Sequence, residues 1–328
     1  MEQADFTDIG GIRVGHAQNF DAATGCTVVI CEEGAVAGVD VRGGSPSTRE
    51  TDALNPAALR SAVHAVLLAG GSAFGLDAAA GVMQYLEERG VGRDVSVTKV
   101  PIVCGAVLFD LKCGDWRVRP DKAMGYEACR NAREAMFAQG SVGAGTGATV
   151  GKMKGPSCAM KGGIGSFCLK TGELMVGAVV AVNCVGDVRD PETGRILAGT
   201  LNDDRRSFAG GESILIRGYR DSADIFSGNT IIGVVATNAV LTKAEANRLA
   251  SVSQDGIARA VSPAHTTFDG DTIFAMATGR VRADFNAVAA LAARAVENAI
   301  LQGVVQARPL AGFPAYRDLF SEKGRRPS

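Results

Sequence analysis

Gly228-Asn229-Thr230-Ile231-Ile232-Gly233-Val234-Val235-Ala236-Thr237-Asn238 is the stretch on which the reading of this chain turns. Small, turn-prone residues run straight into a threonine. The apolar run that follows is too short for a helix and rich in β-branched residues, which predicts a buried strand with Thr230 as its first residue. A threonine there has two readings. One is a β-branched residue opening a strand, where such residues are favoured. The other is a nucleophile that becomes a new N-terminus once the Asn229-Thr230 bond is cut, its own α-amine then acting as general base for its hydroxyl.

The 328 residues are 46% hydrophobic, enough to bury a large core as one large α/β domain or two smaller ones. With 42 glycines and only 5% aromatic residues, tight turns and close backbone packing are expected. A formal net charge of -1 provides no basic field for nucleic acid. Met1-Glu2-Gln3-Ala4-Asp5 is acidic where a secretory leader is basic and then apolar. No run approaches the roughly eighteen apolar residues of a membrane span, so a soluble, cytoplasmic protein with no membrane partner is expected. Cys26, Cys31, Cys104, Cys113, Cys129, Cys158, Cys168 and Cys184 include no Cys-x-x-Cys pair and read as buried free thiols. His16, His64 and His265 are scattered without metal-ligand spacing, so neither metal nor cofactor is expected. His64, inside an apolar run, reads as a core residue.

Residues 26–31 and 35–42 alternate like strands around Glu32-Glu33-Gly34 and predict a hairpin. Residues 43–56 read as loop. The strand His64-Ala65-Val66-Leu67-Leu68 enters Gly70-Gly71-Ser72-Ala73-Phe74-Gly75, and a helix follows to about Arg89. That glycine turn lacks the Gly-x-Gly-x-x-Gly spacing of a dinucleotide site. One or two strands are expected over 95–110 and a helix from about Ala123 to Ala138. The segment from Gly143 to Met153 fails as a phosphate loop: Thr146 stands where its first glycine belongs, and Met153 where a hydroxyl should hold magnesium. Strands are predicted at 163–168 and 174–182, then an exposed, flexible linker over 187–228. Helices are predicted at 242–260, opened by a Thr242/Glu245 capping box, and at 283–302. Hairpin-like strand clusters favour packed sheets flanked by helices over a doubly wound parallel sheet.

Beside Thr230, the residues that invite chemistry are Lys152 in a glycine-rich segment, Asn183 at a strand end, and Asp269 and Asp271 around one glycine. Each alone also reads as an ordinary surface charge or turn residue. Together, five segments stand in order: Leu68-Ala69-Gly70-Gly71-Ser72-Ala73-Phe74-Gly75-Leu76-Asp77, Gly145-Thr146-Gly147-Ala148-Thr149-Val150-Gly151-Lys152, Val182-Asn183-Cys184-Val185-Gly186, Gly228-Asn229-Thr230 and Asp269-Gly270-Asp271-Thr272. With them the chain resembles the autoprocessing L-aminopeptidase/D-esterase family, which includes β-aminopeptidases and the nylon-oligomer (6-aminohexanoate) hydrolase. The resemblance runs from Gly11-Ile12-Arg13-Val14-Gly15-His16 to the last helix.

The resemblance implies a four-layer α/β/β/α sandwich like that of N-terminal-nucleophile hydrolases, forming one catalytic domain over 1–328. It implies an inactive precursor that cuts itself into 1–229 and 230–328, and a homotetramer. It places the catalytic roles on Thr230, Lys152, Asn183, Asp269 and Asp271, with a short peptide or amide as substrate. The Asp-Gly-Asp form matches the nylon-oligomer hydrolase, whereas Phe74 stands where that enzyme has a tyrosine. In the expected mechanism Lys152 or the aspartate pair activates the Thr230 hydroxyl, and the Asn183 amide N–H meets the oxyanion. One aspartate would hold Thr230 and the other would pair with Lys152. An acyltransferase of the ornithine acetyltransferase type and an inactive scaffold of the same fold remain as alternatives.

Overall fold

In the computed structural model, which describes residues 1–60, 62–218 and 228–320, the apolar residues sort into three cores separated by sheet. The principal strands are β1 (Arg13–Asn19), β2 (Thr24–Val41), β3 (Ala62–Ala69), β4 (Val103–Val107), β5 (Gly163–Thr171), β6 (Leu174–Asn183), β7 (Thr230–Ala239) and β8 (Thr272–Val281). They pair in the order β5-β6-β7-β8-β2-β3-β4, with β1 on β2. The helices of seven residues or more are α1 (Ala78–Glu88), α2 (Lys122–Arg130), α3 (Gly211–Arg217), α4 (Lys243–Ala260) and α5 (Phe285–Val305), among the described residues.

Successive strand residues point to opposite faces, and the cores follow that rule. Val180 and Val235 pack with Ile257 of α4 and Val296 of α5. Their neighbours Val179 and Val234 face the other way, into a middle core with Val29, Val66 and Phe274. On the far side Val28 and Leu67 pack against Val82 and Leu86 of α1 and Cys129 of α2. Read across, the layers are helix, sheet, sheet, helix, as the resemblance implied.

One strand serves both sheets. Glu32-Glu33-Gly34 is not the turn of a hairpin; it lies inside β2, an 18-residue strand. Gly34 takes φ +84°, and the pairing with β3 shifts register between Ile30 and Ala35. Cys26–Ile30 pairs with β3, and after this kink Val36–Val41 pairs with β8. Glu32 stays on the surface, ion-paired with Arg13 and Arg89.

Two further expectations are corrected. The helix predicted to Ala138 stops at Arg130, because Arg133 exchanges backbone hydrogen bonds with Val14 of β1 (3.1 and 3.2 Å). The segment 187–218 is not a loose linker: the buried Asp187 carboxylate accepts the Thr200 and Gly211 N–H groups, both at 2.7 Å, and so fastens the start of α3. The rest of that predicted linker, 219–227, lies outside the described residues. Thr242 and Glu245 form the capping box of α4 as read, and the helix expected from 283 begins at Phe285, capped by Asp284. In length and apolarity α5 would suffice to cross a bilayer, but its apolar face belongs to the core. All eight cysteines are free and buried.

The topology sets the site. β6 and β7 are antiparallel with Asn183 opposite Thr230, so the last residue of one meets the first of the next. β7 and β8 are parallel with Ile232 opposite Thr272, and Asn229 bridges Asp269. The end of β6 and the starts of β7 and β8 therefore coincide.

Candidate active site

Thr230, Asn183, Asp269 and Asp271 are gathered by that coincidence, and Lys152 arrives from the glycine-rich segment beside it. The Lys152 N–H donates to the Val185 carbonyl at 3.0 Å and the Gly151 N–H to Gly186 at 3.1 Å. This lays the segment along the end of β6 and turns the lysine inward. Its ammonium donates to the Asn183 carbonyl (2.8 Å) and side-chain Oδ1 (3.0 Å). Burial lowers Lys152 to about 8, opposed by Cys184 and Asp269.

The aspartates are buried but not paired with the lysine. Among the described residues neither forms a hydrogen bond or ion pair with Lys152, contrary to the expected pairing. Asp269 accepts from Thr266, through its hydroxyl at 2.5 Å and its N–H at 3.3 Å, and from the Val185 N–H at 3.4 Å. Burial, then the charge of Asp271, push its carboxyl up to about 6. Asp271 accepts the Ile231 N–H at 2.7 Å and the His265 Nδ1–H at 2.8 Å.

At the centre, the Thr230 hydroxyl donates to the carbonyl of its own preceding residue, Asn229. That carbonyl oxygen also accepts the Gly270 N–H at 2.9 Å. Gly270 is required by close approach: a Cβ there would stand 2.6 Å from the Ser45 carbonyl and 3.0 Å from the Thr230 hydroxyl. The Asn183 amide, expected to face the oxyanion, instead donates to the Phe109 carbonyl (3.1 Å) and the Gly228 carbonyl (3.3 Å) in the uncut chain.

Thr230 opens onto a cleft of about 270 Å³ lined by Ser45, Ser47, Ser72, Val107, Phe109 and Gly228, with no charged side chain among the described residues of its wall. Lys152 borders a smaller cavity that shares Phe109 and Gly228 with the first. The backbone at Gly228 therefore adjoins both. Phe74 does not line the cleft; it lies exposed, with the Arg119 guanidinium 3.9 Å from its ring centroid.

Several residues escaped the sequence. Residues 43–56 read only as loop, yet the Ser45 N–H donates to the Asp269 carbonyl, and the Arg42 N–H just ahead of that loop donates to the Asp271 carbonyl, both at 2.9 Å. Lys161 is fully buried and donates to the Thr146 and Ala148 carbonyls, supporting the glycine-rich segment from beneath. Asp110, pushed up to about 6 by burial, accepts the Gly71 N–H and the Thr24 hydroxyl, so the Gly70-Gly71 turn is held by internal packing, with Ser72 beyond it in the cleft wall. His64 is a core residue accepting from the Ile102 N–H at 3.1 Å. Among the described residues no cluster of three or more His, Cys, Asp or Glu side chains is placed to hold a metal.

The sequence matches the model of Peptidase family S58 over residues 4–317. The chain belongs to peptidase family S58. It is 44% identical to an uncharacterized aminopeptidase of Mycobacterium bovis, over 96% of this chain and 97% of that one. It is 31% identical to the 6-aminohexanoate-oligomer endohydrolase of a Kocuria species, over 90% and 84% respectively. In structure it is similar to the L-aminopeptidase D-Ala-esterase/amidase of Ochrobactrum anthropi, a variant of the Ntn-hydrolase fold, with a TM-score of 0.69, 18% identity and coverage of 94% and 88%. As an S58 peptidase it is a hydrolase of aminopeptidase type, acting on amide bonds.

Proposed function

We propose that this S58 peptidase activates itself by cutting the Asn229-Thr230 bond and then uses Thr230 as an N-terminal nucleophile on short peptides, amino-acid amides or amino-acid oligomer amides. The observation that carries the reading is the contact of the Thr230 hydroxyl with the Asn229 carbonyl, whose oxygen is held by the Gly270 N–H. Nucleophile, scissile carbonyl and an oxyanion donor are thus within one hydrogen-bonded group.

In the first step the Thr230 oxygen bonds to the Asn229 carbonyl carbon, its proton passing to Lys152 or to the aspartate pair. The C–N bond breaks, the nitrogen takes a proton, and an ester to Thr230 remains. Water hydrolyses the ester, leaving a carboxylate on Asn229, a hydroxyl on Thr230 and a free α-amine. That amine has an ordinary pKa of about 7.7–8.0, suited to a general base near neutral pH. Withdrawal of Gly228 and Asn229 would free the Gly270 N–H and the Asn183 amide for the oxyanion of a substrate, and would join the cleft to the Lys152 cavity. The substrate acyl group then passes to Thr230, the amine product leaves with a proton, and water releases the acid. The described lining of the cleft is uncharged, which suits the neutral backbone of an amide oligomer, and a substrate amine would find its countercharge in Asp269 or Asp271 behind it.

Intact mass under denaturing conditions tests this. The wild-type protein should give two masses, the smaller beginning at Thr230. Thr230→Ala should give one uncut mass and lose amidase turnover by about a thousandfold or more. A cut Thr230→Ala chain would refute the self-cleavage.

A further inference from the structure

His265 was passed over in the sequence, since it has no metal-ligand spacing and stands apart from the recognisable motif. Its geometry connects it to the reacting group. The Asp271 carboxylate divides its two oxygens: Oδ1 accepts the Ile231 N–H at 2.7 Å, and Oδ2 accepts the His265 Nδ1–H at 2.8 Å, with the His265 backbone N–H at 3.3 Å. Ile231 directly follows the nucleophile. One oxygen of Asp271 thus fixes the backbone that carries Thr230, and the other is fixed by the imidazole. The adjacent Thr266 grips Asp269 in the same way, so consecutive residues hold the two carboxylates.

Two features set His265 apart from an ordinary loop histidine. It takes a left-handed backbone, φ +54°, a conformation that costs a residue with a Cβ and that Gly and Asn accept more readily. Its other ring nitrogen, Nε2, is buried without a hydrogen-bond partner among the described residues. The ring's hydrogen bonding is therefore directed wholly at Asp271, and Nδ1 must be the donor because a carboxylate only accepts.

We propose that His265 is a positioning residue for the reaction at Thr230: its Nδ1–H locks the Asp271 carboxylate in the orientation that holds the Ile231 N–H. Without the imidazole, Oδ2 keeps only the long backbone contact, and the buried carboxylate turns away from the orientation that holds the Ile231 N–H. That change loosens the start of β7. Because His265 does not line the cleft, its loss acts on the rate and leaves substrate binding alone. The inference rests on the function proposed above.

The test compares His265→Gly with His265→Asn. Both tolerate the left-handed backbone, but only the asparagine amide restores a donor near the Nδ1 position. Wild type and Thr230→Ala run beside them. The readouts are the fraction cut by intact mass over time and kcat and KM on an amino-acid amide. The expected result is that His265→Gly slows both cutting and kcat by about tenfold or more, with KM within about twofold of wild type. His265→Asn should recover most of the loss. His265→Gly at wild-type rates, or His265→Asn as slow as His265→Gly, overturns the positioning role. A wild-type chain that neither cuts nor turns over amides would instead refute the proposed function. If His265→Gly does not fold, His265→Asn against His265→Ala decides: equal rates overturn the role, and a faster asparagine variant supports it.

Discussion

Lys152 and Lys161 lie on either side of one short loop, and by burial they are hard to tell apart. Both are enclosed by protein, and both are lowered to about 8 by desolvation. Their partners differ. Lys161 donates to two backbone carbonyls, Thr146 and Ala148, and has Cys113 and Asp110 as its charge neighbours. It is an internal brace under the glycine-rich segment. Lys152 donates to both oxygens of Asn183, opposite Thr230, and borders the cavity beside Gly228. A lowered pKa therefore does not by itself distinguish the two lysines; what each ammonium faces does.

Removing each lysine puts the distinction at risk. The largest effect is expected for Lys152→Met, which keeps the volume but deletes the charge and should slow self-cleavage by about a thousandfold or more while the protein still folds. Time-resolved intact mass measures it, and a variant that matures within tenfold of wild type would demote Lys152 to a second brace.

Lys161→Met should do the reverse, leaving two carbonyls without their donor and lowering stability by roughly 1–3 kcal/mol, with slower cutting only as a consequence. Its pH signature is distinctive. Above about pH 8 the native lysines are largely neutral, whereas the unfolded chain holds those protons to near 10.5. Between these values the unfolded state binds more protons, so the lysine contribution to stability rises with pH and is lost as pH falls. Denaturant titrations from pH 8 to 10.5 should show a shallower rise for Lys161→Met than for wild type. Equal slopes would mean that Lys161 is not depressed in the native state.

The smallest effect belongs to a third lysine of the same stretch. Lys154 is paired with Asp203 at the surface, and Lys154→Ala should leave both melting and maturation unchanged. A measurable loss there would show that the whole segment, not its buried lysines, sets the behaviour.

The legible parts of this protein were those encoded locally. The apolar run after Thr230, the Thr242/Glu245 cap and the strand ending at Asn183 appear where their residues predicted them. The five residues singled out for chemistry do meet. What was missed depends on distant partners. Glu32-Glu33-Gly34 makes a turn or a kink with equal ease, and only the pairing of Val36–Val41 with β8 selects the kink. The helix at Lys122 ends early because Val14, far away in sequence, captures the backbone of Arg133. Gly270 holds the Asn229 carbonyl with a backbone N–H, and every residue except proline has one, so composition carries no trace of it. His265 and Ser45 act through residues that only the fold brings near.

The placing of β7 and β8 has a consequence for a chain cut ahead of Thr230. β7 lies between β6 and β8, and β8 between β7 and β2. The 328 − 229 = 99 residues after the cut are thus woven into the middle of a sheet whose flanking strands all belong to the other piece. Maturation would change the molecularity of folding. Before the cut, both pieces share one chain and folding is a first-order event. Afterwards two pieces must find each other in solution, native stability depends on their concentration, and no refolding restores the severed bond. The enzyme would acquire its nucleophile in a step that also makes every later global unfolding a dissociation.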